Sequence, residues 1–243
     1  MLTFPEPLPV GADDISDTDP QKEGKSPLRP APRRKEAEAV ARVAEKFIYH
    51  TAEIIRDEKA ANYILLRGFA LYPNLSPFSE AYGLKAATTA AYPMYRGVAK
   101  LVGMELLEVA DTSTKSEVET LRRHFKEFDF FYFHVKKTDS YGEDGNYWGK
   151  VKVIEEFDSF IPEILSLDPD VLVVTGDHST PAVIKAHSWH PVPFLLSSSY
   201  TRGGGSFGFS EKECLKGELG IFRATDAMTL ILSHSRRLNK FGA

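Results

Sequence analysis

The 243 residues are 42% hydrophobic and 26% charged, enough apolar material for one large core, or a core with an appendage, and too much for a disordered chain. The formal net charge of -4 supplies no basic field to gather nucleic acid or an anionic membrane surface, so neither is an expected partner. One cysteine, Cys214, cannot close an internal disulfide, and no apolar run has the length of a membrane span; a reducing, cytoplasmic setting is the expectation.

Residues 1–34 carry seven prolines, from Pro5 to Pro32, that prevent long regular elements, and this segment reads as an extended arm. From 35 to 59 the apolar positions fall at helical spacing, including Val40, Ala44, Phe47 and Ile48. The period then changes: NYILLRG (62–68) reads as a buried strand and 85–91 as a weak strand, followed by a helix over 94–102. ELLEV (105–109) predicts a strand, 113–127 a helix, and FDFFYFHVK (128–136) a strong strand of aromatic and β-branched residues. A helix over 148–165, a buried strand DVLVVTGD (170–177), a short helix over 181–186, a strand PFLLSS (193–198) and a closing helix over 225–233 complete the alternation. Strand and helix in repetition, with near-continuous apolar strands, predict an α/β fold with a mostly parallel sheet and helices on both faces. The run Gly203 to Gly205 follows no strand and lacks a phosphate-loop pattern, so it reads as a surface loop.

Function in such sheets gathers where the strands end and the loops diverge. Two of these ends are rich in ligand-type residues. KKTDSYGEDGN, after the aromatic strand, offers Asp139, Glu143 and Asp144; TGDHST, after VLVV, offers Asp177 and His178, with His187 and His190 a little further on. Imidazole and carboxylate together suit Zn, Mn or Fe, while oxygen-rich sites favour Mn or Mg. If the two strands are neighbours, Asp139, Glu143, Asp177, His178 and His187 converge. A bland alternative stands beside this. Ser179 or Thr180 before Pro181 is a fitting helix N-cap, and the KTDSYGEDGN segment has the composition of a solvated turn. His50, His124 and His234 lie on predicted helices with no partner in the sequence, and His190 reads as packing against Trp189; none of the four receives a catalytic role, and Cys214 reads as structural.

In chain order, SDTDPQKEGK (16–25), ILLRG (64–68), YGLKAA (82–87), YRGVAKLVGM (95–104), HVKKTD (134–139), DGNYWGKVKVIEEFD (144–158) and VTGDHSTPAVIKAHSWHPVP (174–193) resemble the archaeal-type cofactor-independent phosphoglycerate mutases of the alkaline phosphatase superfamily. The resemblance implies an alkaline phosphatase-like α/β domain over 35–243 and makes 1–34 a remnant of the family's inserted substrate-binding domain. It implies the glycolytic interconversion of 3-phosphoglycerate and 2-phosphoglycerate through a phosphorylated serine, with two divalent metal ions, manganese before Mg or Zn, and without 2,3-bisphosphoglycerate. Phosphoryl transfer of this kind depends on positioning and charge stabilisation.

Carried over by position, one metal falls to Asp139, Glu143 and His187, and the other to Asp177 and His178. Arg67 and Arg96 become candidates for the phosphorylated metabolite, since a guanidinium offers paired donors. The chain departs from the family in three respects. The GDG-type aspartate strand and the nucleophilic serine helix have no counterpart in these residues, so the expected core lacks its first strand, and a separate N-terminal polypeptide becomes an expected partner. Glu143 stands where the family has histidine, and Arg96 where lysine is common. The alternative is a degenerate, non-catalytic paralogue that binds metal or a phosphorylated metabolite.

Overall fold

The computed structural model describes residues 7–202 and 208–238, so the Gly203 to Gly205 run lies outside the described residues. Two compact units divide the chain between Asn74 and Leu75. The boundary expected at residue 34 concerns an inserted domain and stays a proposal.

The first unit is organised by helix α1 (Glu38–Ile55), which buries Val40, Ala41, Ala44 and Ile48. Val40 and Ala41 pack with Ala12, Ile15 and Ala37, and Leu8 and Phe69 cover this cluster. The Pro-rich segment is therefore tied down, with Ile15 bridged to Pro32. The strand expected over 62–68 does not form. Leu66 pairs only with Thr18: its carbonyl accepts from the Thr18 amide at 2.9 Å, and its amide donates to Thr18 Oγ1 at 2.7 Å. A lone partner, its hydroxyl standing in for a carbonyl, replaces the ladder that a strand needs.

The second unit carries the α/β core. A parallel sheet runs in the order β2 (Glu105–Leu106), β1 (Ala86–Thr88), β3 (Phe130–Tyr132), with Ala87 opposite both Glu105 and Phe131. Successive side chains of a strand point to opposite faces, and β3 shows it. Phe130 packs with Phe78 and Leu232, from helices α2 (Phe78–Tyr82) and α8 (Ala227–His234). Phe131 packs with Val118 and Leu121 of α4 (Thr114–His124) and Ile164 of α6 (Tyr147–Leu165). Helices thus cover both faces, as the alternation predicts. Helix α3 (Pro93–Leu101) connects β1 to β2, with proline at its start where no amide partner is needed.

The remaining two strands form their own sheet. β4 (Val171–Thr175) pairs antiparallel with β5 (Phe194–Ser198), Val173 opposite Leu196. The expected parallel sheet is therefore split, three strands and two. Leu172 of β4 rests on the same cluster as Phe131 and Phe133, yet among the described residues β3 and β4 each carry a ladder on one edge only. The burial expected of 170–177 is only partial in β4, and β3 is partly buried as well.

Two local expectations are corrected. KTDSYGE, expected as a turn, is helix α5 (Lys137–Glu143). Residues 181–186, expected as a helix, make a single turn in which the amides of Ile184 and Lys185 both donate to Pro181 O, and Lys185 at φ 55° ends it. A short helix α7 (Glu211–Cys214), capped by Ser210, was not expected. Among the described residues no helix is long and apolar enough to cross a membrane.

Candidate metal centre

Helix α5 turns the polar segment after β3 into a ligand-bearing face, because residues four apart on a helix lie one above the other. Asp139 and Glu143 have that spacing. The segment after β4 delivers His187 to them: its Nε2 stands 3.8 Å from Asp139 Oδ1 and 3.6 Å from Glu143 Oε1. Ligand bonds of about 2.0–2.2 Å put neighbouring donor atoms roughly 3–3.5 Å apart, so His187 is a small contraction away from sharing a cation with either carboxylate. Asp177 and His178 lie alongside. His178 Nε2 is 3.5 Å from Asp177 Oδ2, and the His178 and His187 rings are 3.9 Å apart at 30°. Ligand atoms of Asp139, His178 and His187 all fall within 4.8 Å of one another. Two acidic side chains with an imidazole, next to a third carboxylate with a second imidazole, form a donor set that fits a divalent cation.

Two hydrogen bonds tie Asp139 to its neighbours. Lys136 donates its ammonium to Oδ2, and Thr180 donates its hydroxyl to Oδ1 at 2.6 Å. Burial works against the charge on Asp139, but these two bonds and the charge of Lys136 outweigh it and hold the carboxyl below the usual carboxylate range. For Lys136, burial works the other way, and its bond to Asp139 prevails and raises the ammonium above its ordinary value.

Asp177 is supported from the sheet side. Tyr95, buried on α3, donates its hydroxyl to Asp177 Oδ2 at 3.1 Å and stacks on His134 at 3.4 Å between ring centres. Burial, then the charge of Asp177, raises the Tyr95 phenol, and the same two causes push Tyr132 up to about 12. Burial lowers His134, against the pull of Asp177, and its Nδ1 is enclosed with no hydrogen-bond partner.

The capping alternative fails on the same geometry. No helix begins at Pro181, and the Thr180 hydroxyl points instead at Asp139 and His178. Tyr95, His134, Lys136 and Thr180 were not singled out as site residues from the sequence; nothing in it marks that Tyr95 reaches Asp177 across 82 positions or Thr180 reaches Asp139 across 41. The two arginines are engaged locally. Arg96 donates Nη1 to Leu107 O at 2.9 Å and Nη2 to Glu108 Oε1 at 3.0 Å. In the first unit, Arg67 Nη1 lies 3.4 Å from Asp19 Oδ2.

The profile of the Metalloenzyme superfamily matches residues 35–234, most of the chain and all five clustered residues. The chain belongs to this superfamily. Among relatives within it, a protein of Aquifex aeolicus named probable 2,3-bisphosphoglycerate-independent phosphoglycerate mutase is 53% identical over 243 residues, covering 100% of this chain and 60% of its own length. A Thermotoga neapolitana protein of the same name is 54% identical over 95% of the chain and 57% of its own length. The chain thus spans about 60% of the length of the curated relatives it matches. Among solved structures, the PH0037 protein of Pyrococcus horikoshii superposes with a TM-score of 0.76 at 31% identity, over 86% of this chain and 60% of that one. The cofactor-independent phosphoglycerate mutase of Thermoplasma acidophilum superposes at 0.59 and 22% identity, over 92% and 59%, which shows a shared fold.

Proposed function

We propose that this chain is the metal-binding part of a phosphoglycerate mutase-like protein that interconverts 3-phosphoglycerate and 2-phosphoglycerate, a glycolytic step of the cytoplasm. The observation that carries the proposal is that His187 Nε2 lies 3.8 Å from Asp139 Oδ1 and 3.6 Å from Glu143 Oε1, next to Asp177 and His178. In this reading Asp139, Glu143 and His187 hold one divalent cation, and Asp177 and His178 contribute to a second, manganese suiting the mixed oxygen and nitrogen donors. When bound, such cations neutralise charge on a transferring phosphoryl group and activate the hydroxyl that attacks it. The chain's own residues supply the positioning: Lys136 balances the carboxylates, Tyr95 orients Asp177, and Thr180 ties Asp139 to His178. Arg67 and Arg96 remain candidates for the phosphorylated metabolite.

The nucleophilic serine is assigned to the share of the relatives that this chain does not match. A strand from that share fits the unpaired edges of β3 and β4, which rest on one core cluster. The test is conversion of 3-phosphoglycerate with manganese, by the 243 residues alone and together with the unmatched part of the Aquifex aeolicus relative. No turnover alone and turnover on mixing is the expected result. Turnover by these residues alone would place a nucleophile within them. Manganese binding with no turnover in the mixture would support the non-catalytic paralogue, in which Glu143 has replaced a functional histidine.

A further inference from the structure

We propose that Thr180 is a positioning residue for both halves of the metal centre, and that it fixes the tautomer of His178 so that Nε2, not Nδ1, is the ligand atom. The inference rests on the metal-binding reading above. Thr180 is 3% exposed, and its Oγ1 lies 2.6 Å from Asp139 Oδ1 and 2.9 Å from His178 Nδ1. A hydroxyl carries one hydrogen, and an ionised carboxylate can only accept. The Thr180 hydrogen therefore goes to Asp139, and the contact with His178 exists only if Nδ1 donates to Oγ1. A neutral imidazole with hydrogen on Nδ1 has its lone pair on Nε2. That atom faces Asp177 Oδ2 at 3.5 Å, so Asp177 and His178 Nε2 form a donor pair while Nδ1 is occupied.

The hydroxyl is well placed for this task because its backbone is held from two sides. Thr180 O accepts from Lys150 Nζ at 2.8 Å. Helix α5 lies so close that a Cβ on Gly142 would sit 2.3 Å from the same carbonyl oxygen and 3.0 Å from Thr180 Cγ2. The branched side chain has few rotamers to choose from, and the one adopted links α5 to the segment after β4. Partners that orient metal ligands from behind typically change metal affinity 10–100-fold when removed.

Thr180→Val keeps the shape and removes the hydroxyl; Thr180→Ser keeps the hydroxyl. The experiment measures manganese affinity of the full chain by calorimetry and, on the metal-free protein at a pH where histidine is neutral, the ¹⁵N resonances of His178. Wild type and Thr180→Ser are expected to show hydrogen on Nδ1. Thr180→Val is expected to lose that preference and to bind manganese about 10–100-fold more weakly. A wild-type His178 with hydrogen on Nε2 overturns the proposal even if Thr180→Val does not fold. So does a folded Thr180→Val with unchanged affinity, or a Thr180→Ser as weak as valine. Wild-type protein that binds no manganese but shows the Nδ1 tautomer sinks the metal reading and leaves the tautomer assignment standing.

Discussion

Glu117 is a charged residue at the wrong depth. It lies on α4, 5% exposed, with Oε1 accepting from the Ala91 amide at 3.1 Å and Oε2 enclosed without a partner. Burial pushes its carboxyl up to about 8 against the lowering effect of the Ala91 bond. The folded protein therefore holds the proton more tightly than the unfolded chain, whose carboxyl titrates near the ordinary 4.5. Its contribution to stability is full below that value, declines as pH rises through the interval, and is exhausted above about 8. Thermal melts should fall from pH 5 to pH 8 in the wild type. In Glu117→Gln that part of the slope should vanish, leaving the variant more stable at pH 8 by on the order of a few kcal/mol. Parallel pH curves for the two proteins would contradict this. The gathering of Asp139, Glu143, Asp177, His178 and His187 was legible residue by residue, because histidine and carboxylate after apolar strands announce ligand chemistry. Its supports, Tyr95 and Thr180, were not, since each works through contacts that only folding creates.

At the level of elements, α5 is decisive and was the least legible. Its Gly142 and flanking Gly145 gave KTDSYGEDGN the composition of a turn, and helix propensity argues the same way. The structure gives the reason for Gly142: helix α5 packs directly on Thr180, where a Cβ would meet the carbonyl oxygen at 2.3 Å. That neighbour is backbone, which cannot swing aside. Gly142→Ala should destabilise the fold by about 1–3 kcal/mol, the usual cost of overpacking, despite alanine's better helix propensity. It should also weaken manganese binding, because α5 carries Asp139 and Glu143. A melt at or above that of the wild type would show that the helix does not need this close approach. The strand expected over 62–68 and the helix over 181–186 failed for a common reason. Local apolar or capping signals were present, but residues 62–68 found scattered partners in Thr18 and Asp17 in place of a strand, and the left-handed Lys185 ended the turn at 181–186.

Across the second unit, the fold class was legible and the sheet's continuity was not. Helices on both faces follow from the alternation of apolar strands with amphipathic segments, and Phe130 and Phe131 divide between the faces as a strand requires. Periodicity says nothing about which strands share an edge, and here β4 and β5 pair antiparallel, apart from β2, β1 and β3. Among the described residues β3 and β4 are partly buried and each is paired along one edge, and the proposed reading has further polypeptide pair with them. The open edges predict that outward amides of β4 exchange hydrogen quickly, and that the unmatched part of the Aquifex aeolicus relative slows them; exchange that is slow from the start would mean those amides already have partners.

The central claim is that Asp139, Glu143 and His187 hold a divalent cation, and thermal unfolding with and without manganese tests it most directly. A ligand at a hundredfold excess over its dissociation constant stabilises a fold by about 2.7 kcal/mol, a rise of about 5–10 °C in Tm for a protein of this size. His187→Ala should lose most of that rise. His190→Ala should keep it, since His190 bonds to Ser188 and stands outside the cluster. An unchanged rise in His187→Ala, or no rise in the wild type, would contradict the account.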